Sequence, residues 1–238
     1  MIICTLQQIL TICQGRVIMA NVYAEATDSW RRLTDNSSWA NARGTVSSSS
    51  SGGSSSASHY NFGIFNAYTG GRGANTYYCS RTFFEFDLSG ESGTVSSAYF
   101  RVYVDNVGTN ATNESTIYVV NATALADGHA DYGNVFSSGT TIGTLLGSGE
   151  STTTDGYLNI TLNSAGISAL NSAVGSGTLT IGCMGYYDYN NSAPPLGGDL
   201  ASIKFTFADY TGTSRDPYLN ITYAAAAADN AIFFGTNF

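Results

Sequence analysis

Side chains that could serve as a catalytic base are scarce in this chain. The sequence holds two histidines, His59 and His129, and it contains no Gly-x-Ser-x-Gly, His-Glu-x-x-His, Gly-x-Gly-x-x-Gly or phosphate-loop pattern. Hydrolysis by a nucleophile needs a base within hydrogen-bonding reach, which is usually a histidine. We therefore expect no enzymatic activity and no catalytic residue, with both histidines solvated in loops.

One short segment has the residue types of a metal site. Asp127, His129 and Asp131 alternate along the chain, and in an extended loop such carboxylate and imidazole groups converge on one side. Carboxylates in a turn are more often solvated or capping, so these three residues are weak candidates and we expect no cofactor. A structural calcium ion held by backbone carbonyls stays open, because such a site leaves little trace in a sequence.

The acidic residues offer no pair suited to cleaving a glycosidic bond. That reaction needs two carboxyl groups at a defined separation, and no sequence feature brings two of the 17 acids together. Glu85 and Asp87 lie two residues apart on one face of a predicted strand. We expect them to form ion pairs with Arg81 or Arg101 on the outer surface of a sheet.

A tyrosine-rich block is the best candidate for contact with a ligand. Tyr186, Tyr187 and Tyr189 follow one another within four residues, and exposed tyrosine rings stack on sugars while their hydroxyls form hydrogen bonds. The alternative is ordinary packing of these rings in the core or at a sheet edge, which we favour over glycan binding.

The charge of the chain limits its partners. It has 9 basic and 17 acidic side chains, a net charge of −8 and a pI near 4.4, and Lys204 is its single lysine. Nucleic acids and anionic membrane surfaces are bound through clusters of Lys and Arg. There is also no apolar stretch of about 18 residues. We therefore expect neither nucleic acid nor membrane as a partner.

The hydrophobic pattern is that of an all-β protein. Apolar and polar residues alternate in short segments separated by Gly, Ser and Asn turns. We expect about nine or ten strands in a β-sandwich, with one short helix at Ala165–Asn171 capped by Ser164. The predicted strands include 22–26, 60–67, 77–88, 95–105, 117–119, 158–162, 179–183, 203–207 and 219–223.

The strand pattern also bears on the two cysteines within it. Cys183 shares a face with Leu179 and Ile181, whereas Cys79 alternates to the face opposite that of Phe84. Since their Cβ vectors diverge, no disulfide is expected between them. Both should be free thiols.

The ends of the chain differ from its centre. We divide it into an N-terminal extension at 1–20, a sandwich at 21–223 and an apolar tail at 224–238, with the serine-rich stretch Ser47–Ser58 as a long loop inside the sandwich. Residues 1–20 look superficially like a signal peptide, but Gln7 and Gln8 interrupt the apolar run, so we do not expect export through it. Translation from Met19 is an alternative.

The tail carries a dense apolar cluster. Ile232, Phe233, Phe234 and Phe238 fall within seven residues, and each is worth on the order of 1.5–3 kcal/mol when buried. We expect this tail to dock on another subunit or on a particle, as an added strand or as anchors in a groove. The alternative is that it folds back over one end of its own barrel.

Several sequence blocks resemble a known family. Arg81–Asp105 (RTFFEFDLSGESGTVSSAYFRVYVD), Gly185–Asn191 (GYYDYNN), Gly212–Tyr218 (GTSRDPY) and the ending DNAIFFGTNF resemble jelly-roll domains of the DNRLRE type, as in virion structural proteins of tailed bacteriophages. The resemblance covers 21–238. It implies a single jelly-roll sandwich displayed on a particle, and it implies no reaction.

We therefore expect a non-enzymatic virion protein, as a head decoration, head fibre or tail-associated part. It would bind other virion proteins or copies of itself and contact host glycans. The alternative is a carbohydrate-binding module of a secreted bacterial protein. A glycan-cleaving depolymerase is a third interpretation, but it requires an acid pair that the sequence does not reveal.

Overall fold

The computed structural model describes residues 17–35, 38–44, 51–54, 62–70, 76–108, 115–126, 129–138, 141–150, 155–194, 202–208 and 212–225. These residues form antiparallel strands with a few short helices, which confirms the predicted all-β sandwich. Among them, no helix is long and apolar enough to cross a membrane.

The described residues contain fourteen strands, more than the nine or ten expected. The difference includes short strands that alternation cannot reveal, such as Ser51–Ser54, which lies inside the predicted serine-rich loop and pairs with Ser29–Arg32. The strands are β1 Ile18–Tyr23, β2 Ser29–Asp35, β3 Ser51–Ser54, β4 Phe62–Gly70, β5 Thr76–Asp87, β6 Val95–Gly108, β7 Thr116–Asn121, β8 Phe136–Ser138, β9 Thr141–Ile142, β10 Leu145–Glu150, β11 Gly156–Thr161, β12 Thr178–Gly185, β13 Ser202–Thr206 and β14 Tyr218–Tyr223.

The strands form two layers joined by β4. In the first layer β6 pairs with β14, β13 and β11, and β1 pairs with β14. In the second layer β5 pairs with β2 and β12, and the order continues through β7 to β10. Strand β4 pairs with β13 through Phe62–Phe65 and with β5 through Asn66–Gly70. One strand therefore contributes to both layers.

The core lies between the two layers and is rich in phenylalanine. Phe84 packs at 5.1 Å between ring centroids against Phe100, and it meets Phe205 and Phe207 edge to face. Phe84, Phe86, Leu88 and Phe100 are all fully buried. The predicted core face of β5 is confirmed.

Strand β5 is buried on its other face as well, which the sequence analysis did not predict. Arg81 and Phe83 are fully buried on that face, and Glu85 is 8% exposed. The cover consists of short elements outside the sheet: the helix α1 (Trp39–Arg43), a 3-10 helix at His129–Gly133, strand β8 and the helix α3 (Tyr186–Tyr189). We call these elements the outer layer.

The predicted helix is present with slightly different bounds. Helix α2 spans Ser164–Ala173, and its N-cap is Asn163, whose side chain accepts a hydrogen bond from the Gly166 amide. The expectation that Ser164 is the cap was wrong by one residue. Asn and Ser have nearly equal preference for this position, so the sequence alone does not separate them. As expected, Leu170 is buried.

The described boundaries refine the predicted domain division. Strand β1 begins at Ile18, which pairs with Tyr223, so the expected boundary after residue 20 falls inside a strand of the sandwich. Strand β14 ends at Tyr223; because residues 226–238 lie outside the described part of the chain, the predicted boundary of the tail stays a prediction. Cys79 and Cys183 are both buried and free, which confirms the prediction of unpaired thiols.

Candidate functional site

Arg81 on β5 lies beneath the outer layer and forms hydrogen bonds with three of its segments. Its Nε and Nη2 donate to the two carboxylate oxygens of Asp188 at 2.7 and 2.9 Å. Nη1 donates to the carbonyl oxygens of Tyr132 at 2.8 Å and Gly44 at 3.5 Å, and Nη2 also donates to that of Arg43 at 2.7 Å. These acceptors match the five N–H donors of a guanidinium group. One side chain therefore joins β5 to α1, to the 3-10 helix and to α3.

The electrostatics of this centre follow from burial and from its counter-ion. Burial by itself lowers the pKa of Arg81, but the Asp188 carboxylate, together with Tyr132 and Cys79, more than reverses this, so the pKa is raised and the group stays charged. Burial raises the pKa of the neighbouring Cys79 thiol and Tyr132 hydroxyl, which stay neutral. The guanidinium also lies 4.0 Å from the centroid of the Tyr132 ring, a favourable cation–π contact.

Two further arginines, Arg31 and Arg43, extend the network. Arg31 lies opposite Arg81 across the β2–β5 ladder and is 3.4 Å from Asp131. Arg43 donates through Nε to the Asp188 carbonyl oxygen at 2.6 Å and lies 3.4 Å from its Oδ1. Arg81 and Arg43 thus both contact the carboxylate of Asp188, while Arg31 contacts that of Asp131.

A cavity of about 440 Å³ opens beside this network. It lies between α1, α3 and the β8–β9 hairpin, and Arg43 is the charged residue in its wall. The lining residues are Ala40, Arg43, Gly44, Phe136, Ile142, Tyr189, Asn190 and Asn191. The cavity therefore combines aromatic rings, two amides and a guanidinium group in a concave surface.

The structure separates the three tyrosines predicted as ligand contacts. They lie on the short helix α3. Tyr189 reaches the cavity and stacks on Tyr118 with a centroid distance of 4.1 Å and an angle of 3° between the ring planes. Tyr186 and Tyr187 contact each other edge to face at 5.5 Å, and Tyr187 packs on the cluster around Trp39.

Sequence reasoning missed both the network and most of the cavity. Asp188 lies between the predicted tyrosines, and Arg81 opens the first block of the family resemblance, yet nothing in the sequence pairs them. A charged residue among apolar neighbours in each block was the available signal. Arg43, Asn190 and Asn191 gave no signal, because loops and a short helix bring them to the cavity.

The predicted ion pairs of Glu85 and Asp87 were wrong. Glu85 accepts hydrogen bonds from the Thr27 and Thr180 hydroxyls at 2.7 and 3.0 Å, and from the Leu125 amide at 2.9 Å. Asp87 is exposed and accepts from the Ser89 amide, which lowers its pKa. The segments that carry Thr27 and Leu125 cover this part of β5, so Glu85 is satisfied by these local donors and by Thr180 instead of by a surface arginine.

The suggested metal ligands are described only in part. Asp127 lies outside the described residues, and His129 begins the 3-10 helix, where its side chain is not described. Asp131 is buried, and it accepts hydrogen bonds from the Ala126 amide at 2.9 Å, from Asn134 at 3.2 Å and from Arg31 at 3.4 Å. Its carboxylate thus takes part in the arginine network.

A second group of arginines and tyrosines lies on the outer face of the first layer. The Arg101 guanidinium lies 3.9 Å from the Tyr157 ring centroid, and Arg215 lies 4.1 Å from that of Tyr103. Arg101 also donates to the Tyr218 hydroxyl at 3.0 Å. The Tyr103 and Tyr157 rings meet at 83°. Because they interlock, these rings do not form a flat platform for a sugar, and the cavity is the better candidate site.

The chain was compared with protein-family models and with curated proteins. No protein-family model matches it, and no curated protein does. The apolar tail residues Ile232, Phe233, Phe234 and Phe238 lie outside the described residues. The resemblance to phage jelly-roll domains and the docking of the tail therefore stay predictions.

Proposed function

We propose that the protein is a non-enzymatic structural component of a bacteriophage virion, with a jelly-roll sandwich that serves as a head decoration, head fibre or tail-associated part. The observation that carries the proposal is the contact between Arg81 and Asp188. It joins two of the sequence blocks on which the resemblance to phage jelly-roll domains rests. The charged residues of these blocks hold the fold together.

The use of the buried carboxylates supports a structural role. Asp188, Asp131 and Glu85 are all at least 90% buried, and each accepts hydrogen bonds from internal donors. A catalytic base must reach the proton that it removes, with a pKa matched to that task. Asp188 and Asp131 link strands to the outer layer, and Glu85 links β5 to β12 and to the segments that carry Thr27 and Leu125.

Attachment to the particle is assigned to the apolar tail. Ile232, Phe233, Phe234 and Phe238 would anchor the chain to another virion protein or to a second copy of itself. A cluster of this kind is rarely left in water by a monomer. Virion proteins and copies of this chain are thus the proposed partners.

A carbohydrate-binding module of a secreted bacterial protein is the second candidate function, and the cavity beside Arg43 is the observation that favours it. Contact with host surface glycans is common to both proposals. They differ in whether the chain travels with a phage particle or with an exported bacterial protein.

Immunogold electron microscopy tests the leading proposal. Antibodies raised against the purified full chain should label phage particles grown from a genome that encodes it, at a regular position on head or tail. Particles from which the gene has been deleted provide the control. Labelling confined to the host surface or to secreted material would favour the carbohydrate-binding module and overturn the virion assignment.

A further inference from the structure

We propose that the cavity between α1, α3 and the β8–β9 hairpin binds an acidic sugar residue, with the sugar carboxylate paired to Arg43. The inference rests on the proposed contact with glycans and specifies the class of sugar. It assigns the charge to Arg43, the apolar wall to Phe136 and Tyr189, and the contacts with sugar hydroxyls to Asn190 and Asn191.

The first argument is the position of the Arg43 side chain. It is 7% exposed, and it lines the cavity. Its Nε is used by the Asp188 carbonyl oxygen, but Nη1 and Nη2 have no acceptor among the described residues. A carboxylate entering the cavity can take both of these donors side by side, the geometry in which guanidinium groups bind carboxylates most strongly.

The second argument is charge balance. Asp188 has two carboxylate oxygens, and both already accept from Arg81 at 2.7 and 2.9 Å. Arg43 is left with the longer 3.4 Å contact to Oδ1. A buried charge without a full counter-ion is costly, and an anionic ligand would supply one. A neutral sugar would leave this charge uncompensated.

The third argument is the shape and lining of the cavity. A volume of about 440 Å³ falls within the range of small-molecule sites. The aromatic walls suit the apolar faces of a pyranose ring. Asn191 presents an amide group, which both donates and accepts hydrogen bonds. Asn190 donates through Nδ2 to the Tyr186 carbonyl oxygen at 3.0 Å and offers its Oδ1 as an acceptor. Asn191 has a φ of 50°, a left-handed conformation that asparagine tolerates better than most residues.

Position 40 gives a test that leaves the arginine network intact. Ala40 is exposed on α1, lines the cavity and precedes Arg43 by three residues. Ala40→Glu places a carboxylate one helical turn from Arg43, where it competes with the ligand. Ala40→Gln adds a side chain of the same shape without the charge and is the matched control.

The measurement is isothermal titration of the full chain with a trigalacturonate probe, a neutral galactose trisaccharide and sodium acetate. We expect trigalacturonate to bind, the neutral trisaccharide to bind at least tenfold more weakly, and acetate to compete only at far higher concentration. Ala40→Glu should weaken trigalacturonate binding at least tenfold more than Ala40→Gln does. Both variants should melt within a few degrees of the parent protein.

Three outcomes would overturn the inference. They are absence of trigalacturonate binding, equal affinity for the neutral trisaccharide, and equal loss of affinity in the two Ala40 variants. Competition by acetate at the same concentration as trigalacturonate would reduce the cavity to a simple anion site and would also overturn it. None of these results affects labelling of phage particles, so failure of this inference is distinguishable from failure of the proposed virion role.

Discussion

Arg81 and Asp188 form a two-pronged ion pair between residues 107 positions apart, with the Nε–Oδ2 contact at 2.7 Å and the Nη2–Oδ1 contact at 2.9 Å. Neither side chain is more than 1% exposed. The pair connects the middle of a sheet to a short helix that has little stability of its own, because four residues make only one helical turn. The position of α3, and with it one wall of the cavity, therefore depends on a charge buried in β5.

Removing one partner of this pair should destabilise the protein severely. Asp188→Asn leaves the Arg81 guanidinium buried without a counter-ion, and such changes cost about 3–5 kcal/mol of unfolding free energy. Urea denaturation of the two proteins measures the difference. Asp87→Asn is the matched control, since Asp87 is an exposed aspartate on the same strand as Arg81, and its effect should be small. Equal losses in the two variants would contradict the structural role of the pair.

The sandwich was predictable from sequence because period-2 alternation reports a strand with one buried face. Strand β5 shows where that signal fails. Its second face is covered as well, but that face carries Arg81 and Glu85, so the strand alternates like one with a single buried face. The alternation predicted one face in the core and one exposed to solvent. It therefore placed Glu85 at the surface, whereas the structure buries it.

The candidate site could be predicted only in part. The tyrosine block marked the segment that carries Tyr189, but strand propensity hid the helical turn that separates Tyr189 from its neighbours. Arg43 and Ile142 reach the cavity through contacts between elements far apart in sequence. Such long-range placement depends on tertiary packing, for which local spacing gives no rule.

The two buried thiols predict a loss of stability at alkaline pH. Burial raises the pKa of Cys79 and Cys183 above the ordinary thiol value of 9.0. The folded protein therefore keeps both protons at pH values where the unfolded chain releases them. The unfolding free energy is unaffected by these groups below about pH 8.5 and should fall above it by up to about 1.4 kcal/mol per pH unit for each thiol.

Urea denaturation between pH 7 and pH 10.5 measures this slope, and Cys183→Ala should remove the contribution of one thiol from it. In the folded protein, peptide mass spectrometry after iodoacetamide treatment should find Cys79 and Cys183 unmodified. An alkaline slope that Cys183→Ala leaves unchanged, or rapid alkylation of the folded protein at these positions, would contradict the prediction.

Gly182 on β12 should tolerate no side chain. A Cβ atom there would lie 2.6 Å from Cγ1 of Val135 and 3.4 Å from Cε1 of Phe83, both fully buried. We expect Gly182→Ala to lower the unfolding free energy by about 1–3 kcal/mol, as overpacking typically does. Gly90→Ala is the control, because nothing lies within 4 Å of the corresponding Cβ.

The cause of this effect is testable with a second substitution. If the clash with Val135 is responsible, Gly182→Ala should cost less in a Val135→Ala background than in the parent protein. Thermal and urea denaturation of the four proteins form a double-mutant cycle. Additive effects would show that the close approach of Val135 to β12 is not the reason for glycine at this position.

The apolar tail should direct assembly. Deleting residues 229–238 is expected to abolish oligomers or binding to particles while the melting transition of the sandwich stays unchanged. Light scattering after size exclusion measures the mass, and Phe233→Ser with Phe234→Ser should act like the deletion, whereas Asn237→Ser should not. If the deletion lowers the melting temperature but leaves oligomers and binding to particles intact, the tail covers its own sandwich instead.

The central claim is that this chain is a structural part of a virion, and quantitative mass spectrometry of phage particles fractionated on a density gradient tests it most directly. The account predicts that peptides of the chain follow the particle DNA through the gradient at a constant copy number that survives high salt. It would be contradicted if the chain were absent from the particle peak, or if its ratio to DNA varied from fraction to fraction.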